Sequence, residues 1–205
     1  MIVRTEAIAE TPDELLSQLE HKAWYIPTLA KMGTHRQREW LTVRVLLKKI
    51  LGEEKLISYT AAGKPYLADS SYHISISHTK GYVALAVDGN YPVAIDIEQI
   101  SSRVEKICSR FMNETEEQNL SKNLPLIHLL LHWSAKEAIY KYMDENDIDF
   151  KSQMHIHPFE PVTGKWQEFK AYETRTERQQ NFVIRYLVEK DYVLCLISAL
   201  SNTPI

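Results

Sequence analysis

Three pairs of segments recur in the same order along the chain. "EWLTVRVLLKKI" (39–50) can be laid on "HWSAKEAIYKYM" (132–143), "GKPYL" (63–67) on "GKWQEF" (164–169), and "GYVALAV" (81–87) on "DYVLCLI" (191–197), at offsets of 93, 101 and 110 residues. Offsets that grow in chain order are what insertions into a duplicated unit produce. The pattern predicts an α+β protein of two pseudo-twofold-related halves, 1–98 and 99–205, forming one compact unit. Each half is expected to pack a helix on a small antiparallel sheet. A fold of this kind has its natural cleft, and its expected ligand site, between the halves. With 205 residues, 44% apolar and 25% charged, the chain has the length and composition of a globular protein with a substantial core.

Local signals give the elements. "TPDELLSQLEHKAWYI" reads as a helix with Thr11 as N-cap, Pro12 at its first position and Asp13 and Glu14 in its first turn. "THRQREWLTVRVLLKKILG" predicts a longer helix with Trp40, Val43, Leu47 and Ile50 on one stripe and Gly52 as its stop. "AAGKPYL" is a turn by composition, and "HISISH" and "GYVALAV" around "TKG" form a hairpin signal. "VAIDIEQI" (93–100) alternates as a strand. "RFMNETEEQNL" and "LPLIHLLLHWSAKEAIYKYM" read as helical, and "NFVIRYLVEKDYVLCLISAL" as two antiparallel strands joined at Glu189–Asp191.

Charge and cysteine usage narrow the function classes. A net charge of −3 speaks against a nucleic-acid partner, which calls for a basic footprint. Cys108 and Cys195 have no zinc-ligand spacing and read as free thiols, so a reducing, cytoplasmic setting is expected. The start "MIVRTEAIAET" lacks the apolar core of a signal peptide, and apolar runs such as "YVALAV" are too short to cross a bilayer. No membrane association is expected.

The chemistry-bearing residues gather in four motifs. On the strand 93–100, Ala94, Asp96 and Glu98 share a face, and two adjacent carboxylates on an apolar strand call for a cation opposite them. Their oxygens suit a hard divalent cation. On the helix "WSAKEAIYKY", Trp133, Glu137 and Tyr140/Lys141 share a face, with Lys136 beside them. Glu137 offers a third carboxylate, and the lysines offer positive charge for an anionic substrate; equally, Glu137 and Lys141 make an ordinary i, i+4 pair. In "ISISHT", Ser77 and His78 point apart on a strand, which disfavours a nucleophile–base pair and leaves a phosphate contact as the simpler use. Lys64 lies on the "GKP" turn, and Arg36, Arg38 and Arg44 add positive charge on the helix before it. His155-x-His157 reads as an ordinary strand face.

In this order the motifs resemble the 4′-phosphopantetheinyl transferases, specifically the surfactin-synthetase-activating type. The family pattern is a GKP turn, a strand ending Ser-His, a GIDIE-like strand and W-x-x-K-E-x-x-x-K on a helix. This chain supplies "GKP" at 63–65, "SH" at 77–78, "AIDIE" at 94–98 and "WSAKEAIYK" at 133–141. The resemblance implies transfer of the 4′-phosphopantetheine arm of coenzyme A to a serine of an apo acyl carrier protein or peptidyl carrier domain, with release of adenosine 3′,5′-bisphosphate. It implies Mg²⁺ held by Asp96, Glu98 and Glu137. Lys136 and Lys141 would neutralise phosphate charge, Lys141 also helping the leaving group. Lys64, Ser77 and His78, with Arg36 and Arg44, would bind coenzyme A. Glu137 is base, metal ligand or both. A monomer is expected, since an internal pseudo-dimer needs no second subunit. The family glycine before "IDIE" is Ala94 here, which adds a methyl where backbone and ligand approach.

Two other readings compete. Carboxylates beside lysine also suit a metal-dependent nuclease, which leaves "SH" and "GKP" without a role. A non-catalytic coenzyme A-binding or carrier-docking module would keep the binding residues and lose turnover.

Overall fold

The computed structural model describes residues 1–145 and 147–199. These divide into two compact units, Met1–Asn90 and a second beginning at Tyr91. The break precedes the 98/99 boundary set from the sequence, because the strand Val93–Gln99 pairs in register with Tyr192–Ser198. Both units combine helices with antiparallel sheet, the α+β class expected.

The first unit opens with β1 (Ile2–Ala7), which the sequence reading did not assign. Next come α1 (Pro12–Ser17), a 3-10 turn at Lys22–Trp24, α2 (Ile26–Leu29) and α3 (Thr34–Leu51). Thr11 caps α1 in a reciprocal box with Glu14, as its sequence predicts. The single helix expected over 11–26 is instead broken after Ser17, and its continuation restarts at Tyr25–Pro27 with proline in the first turn. Gly52 ends α3 in the left-handed conformation (φ 76°). β2 (Ile57–Tyr59) and β3 (Pro65–Leu67) form a ribbon across the GKP turn. β4 (His73–Thr79) and β5 (Tyr82–Asp88) form the expected hairpin around Lys80–Gly81, and β1 pairs on the other side of β5. Val43, Leu46 and Leu47 of α3 pack on Val83, Leu85 and Val87 of β5.

The second unit runs β6 (Val93–Gln99), a 3-10 segment Ser102–Arg110, α4 (Glu114–Gln118), α5 (Pro125–Met143), β7 (Met154–Ile156), β8 (Gln167–Glu173), β9 (Asn181–Val188) and β10 (Tyr192–Ser198). Its sheet is antiparallel in the order β6-β10-β9-β8-β7. The β9–β10 hairpin has its turn at Glu189–Asp191, as expected. Leu131, Ala135, Ala138 and Ile139 of α5 join Ala94, Val193, Cys195 and Ile197 in one core, which seats the helix on β6 and β10. Among the described residues no helix is long and apolar enough to cross a membrane.

Candidate active site

β6 and α5 bring four of the expected residues together. In register, Asp96 lies opposite Cys195 and Glu98 opposite Val193, so both carboxylates rise from the face that α5 covers. Trp133 donates its indole N–H to Glu98 Oε1 at 2.7 Å. Lys141 donates to Asp96 Oδ1 at 2.7 Å and to the Ile95 carbonyl at 3.2 Å. Between them, Ser134 Oγ donates to the Asp96 carbonyl at 3.3 Å. Trp133 meets the later strand residue and Lys141 the earlier one, so the helix runs counter to the strand. The step of eight residues from Trp133 to Lys141, a little over two turns of helix or about 12 Å, sets the span over which strand and helix face each other.

The electrostatics follow from burial and crowding of like charge. Asp96 is 3% exposed, and Glu98 and Glu137 are half-buried. Burial pushes the Glu98 carboxyl up to about 7, with the charges of Asp96 and Glu137 adding to it against the Trp133 hydrogen bond and Lys141. Burial likewise raises Glu137 to about 7, with Asp96 adding and Lys141 opposing. Lys141 thus offsets part of the repulsion within the carboxylate trio. Among the described residues, however, no three His, Cys, Asp or Glu side chains are gathered as a metal-holding group. The carboxylates sense one another without converging on one point.

Lys136 is placed elsewhere. It is 0% exposed, and its ammonium donates to Glu116 Oε2 (2.7 Å), the Phe111 carbonyl (2.6 Å) and the Phe150 carbonyl (3.0 Å). An ammonium has three protons, so all are taken. The expected phosphate contact of Lys136 does not fit this placement. The reason is helical phase: Leu129, His132, Lys136 and Ile139 follow one another by 3, 4 and 3 residues and form a buried stripe. Glu116, which sequence reading missed, is equally buried. It caps α4 through the Asn113 N–H and accepts from the Ile156 N–H at 2.9 Å.

In the first unit, Arg36 and His78 meet. Arg36 Nη1 lies 3.1 Å from His78 Nε2 and 2.9 Å from Glu39 Oε2, and His35 reaches Glu39 Oε1 at 3.3 Å. Glu39, also missed, stands one turn beyond His35 and Arg36, a spacing readable in the sequence. Ser77 is buried on β4, opposite Ala84. Lys64 is half-buried on the GKP turn, its backbone N–H donating to Thr60 Oγ1 at 3.1 Å. Arg44, expected near coenzyme A, is 3% exposed. Its guanidinium carbon lies 3.1 Å from the Trp40 ring centroid, and it donates to the Trp40 carbonyl at 2.8 Å. It belongs to the helix packing, and burial draws it down to about 10.

The family model of the 4′-phosphopantetheinyl transferase superfamily matches residues 92–197, which include β6, α5 and every residue of the carboxylate cluster. The chain belongs to this superfamily. It is also similar to the 4′-phosphopantetheinyl transferase psf-1 of Bacillus pumilus, 35% identical over 118 residues, covering 51% of this chain and 49% of that protein. The chain thus spans about half the length of the curated relative it matches. Lys64, Ser77, His78, Arg36 and Arg44 precede the family span, whereas Asp96, Glu98, Glu137 and Lys141 lie inside it.

Proposed function

We propose that this chain transfers the 4′-phosphopantetheine arm of coenzyme A to a serine of an apo acyl or peptidyl carrier protein. The observation that carries the reading is the cluster Asp96, Glu98, Glu137 and Lys141, three mutually repelling carboxyls and one ammonium inside the family span.

The donor set is all oxygen, which fits a hard divalent cation. Asp96, Glu98 and Glu137, which stand near one another without converging, would have to draw together to hold Mg²⁺, which when bound would supply charge neutralisation at the pyrophosphate. The serine Oγ attacks the phosphorus carrying the pantetheine arm, and the bond from that phosphorus to the bridging oxygen breaks. Adenosine 3′,5′-bisphosphate leaves with the bond's electron pair. The serine proton goes to Glu137 when that carboxylate is not committed to the metal, so Glu137 serves as base, as metal ligand or as both in turn. Lys141, anchored by Asp96, brings positive charge toward the leaving oxygen. Ser77, His78, Arg36 and Lys64 bind coenzyme A phosphates, with Glu39 holding Arg36 and His78 in place. Arg44 and Lys136 are left out of this set because their charges are spent internally. One long helix on an antiparallel sheet in each unit supports the duplicated plan, and we assign the protein to the cytoplasm as a monomer.

Incubation with coenzyme A, Mg²⁺ and an apo carrier, read by chromatography, tests the proposal. The expected result is adenosine 3′,5′-bisphosphate in step with carrier modified, and none with a Ser→Ala carrier or with EDTA. Coenzyme A binding without release would make the chain a non-catalytic module, and cleavage of added DNA or RNA would make it a nuclease.

A further inference from the structure

We infer that Lys136 and Glu116 form a positioning pair that sets the orientation of Glu98 through Trp133, so that the first lysine of the W-x-x-K-E motif acts on the site without touching substrate. The inference rests on the proposed transfer reaction for its kinetic consequences and on the geometry alone for its path.

The path is continuous. Lys136 Nζ binds the backbone carbonyls of Phe111 and Phe150 (2.6 and 3.0 Å), two residues from segments on either side of α5 in the chain. The rings of those same residues flank the indole of Trp133, with centroids 5.1 Å and 5.7 Å away. Trp133 in turn donates its N–H to Glu98 Oε1 at 2.7 Å. Glu116 fixes the other end: besides Lys136, it accepts from the backbone of Asn113 and of Ile156, which ties α4 and the edge strand β7 to the same ammonium. An ammonium and a carboxylate, both dry, spend their hydrogen-bonding capacity on backbone groups from four segments. Removing Lys136 strands the Glu116 carboxylate and frees the Phe111 and Phe150 carbonyls, whereas removing Glu116 strands the ammonium and frees the Asn113 and Ile156 N–H groups. A partner one step behind a carboxylate ligand sets its aim, and loss of such a partner costs about 10–100-fold in affinity or activity.

A protein with Trp133 as its only tryptophan (W24F/W40F/W166F) gives a readout independent of turnover. In it, K136M and E116Q should each shift Trp133 emission to the red as the two rings loosen. In the native-tryptophan background both should lower kcat by about 10–100-fold, with KM for coenzyme A unchanged and the double variant no worse than either single one. W133F keeps an aromatic side chain but loses the indole N–H and some ring volume, so it covers the case in which K136M fails to fold; its kcat should fall by a similar factor in a protein that remains folded by circular dichroism. Unshifted emission in both variants, wild-type kcat in W133F, or a K136M effect confined to the KM for coenzyme A would overturn the inference. Should no turnover exist at all, the emission shift still decides the path, and the failure belongs to the transfer reading.

Discussion

The long helices of the two units each carry a cation away from water, and they neutralise it by different chemistry. In α3, Arg44 lies on the Trp40 ring and donates to the carbonyl of the same residue and to the Tyr59 hydroxyl, all of them neutral groups. In α5, Lys136 is met by a carboxylate and two carbonyls. A guanidinium is delocalised, weakly hydrated and starts from a very high pKa, so ring and dipoles suffice to keep it charged. An ammonium concentrates its charge on one atom, and burial pulls it toward neutrality unless a full negative charge stands beside it. Arg44 therefore serves the packing of its own helix, whereas Lys136 brings in Glu116 and with it three other segments.

The contrast orders the expected effects. K136M should destabilise the fold by about 3–5 kcal/mol, because it strands the Glu116 carboxylate in the core. K136M/E116M should recover most of that loss in a urea titration, since an apolar pair of similar volume replaces the ion pair. If the double variant is as unstable as the single one, the cost is packing and not charge. R44M should cost less, roughly 1–2 kcal/mol, because no opposite charge is stranded and only the stacked contact and hydrogen bonds go. An R44M loss as large as that of K136M would erase the distinction between the two helices.

A smaller effect is expected from pH. Glu98 and Glu137 titrate near 7 when folded, against an ordinary value of 4.5. Between about 4.5 and 7 the folded state then binds more protons than the unfolded one, so these two groups make stability fall as pH rises through that window. Wild type should lose thermal midpoint relative to E98Q/E137Q as pH rises through that window. Mg²⁺ at pH 8 should restore stability to wild type and not to the double variant. A flat difference would mean that the carboxyls are not under mutual strain.

The extent to which the sequence anticipated this arrangement follows from the range of the forces involved. α3, α5 and the hairpins β4–β5 and β9–β10 are governed by caps, glycines and periodicity within a dozen residues, and they appear where those signals stand. β1 pairs with β5, and β6 with β10, across most of a unit, and no local pattern carries such a pairing. Asp96, Glu98, Glu137 and Lys141 were legible because charge on an apolar strand or helix face demands a partner. The placement of Lys136 is hard to read because a lysine beside Glu137 in sequence resembles its surface neighbours, although its position in the stripe Leu129, His132, Lys136, Ile139 marks it as interior. Glu116 and Glu39 carried weaker signals, each becoming evident only with the partners the fold brings to it.

Intact-mass spectrometry of apo carrier proteins incubated with coenzyme A and Mg²⁺ tests the central claim most directly, with the wild-type chain run beside E137Q. The account predicts one phosphopantetheine added to the carrier serine by the wild-type chain, its loss with EDTA, and at most a trace with a folded E137Q protein. A carrier left unmodified by the wild-type chain, or modified at the same rate by E137Q, would contradict it.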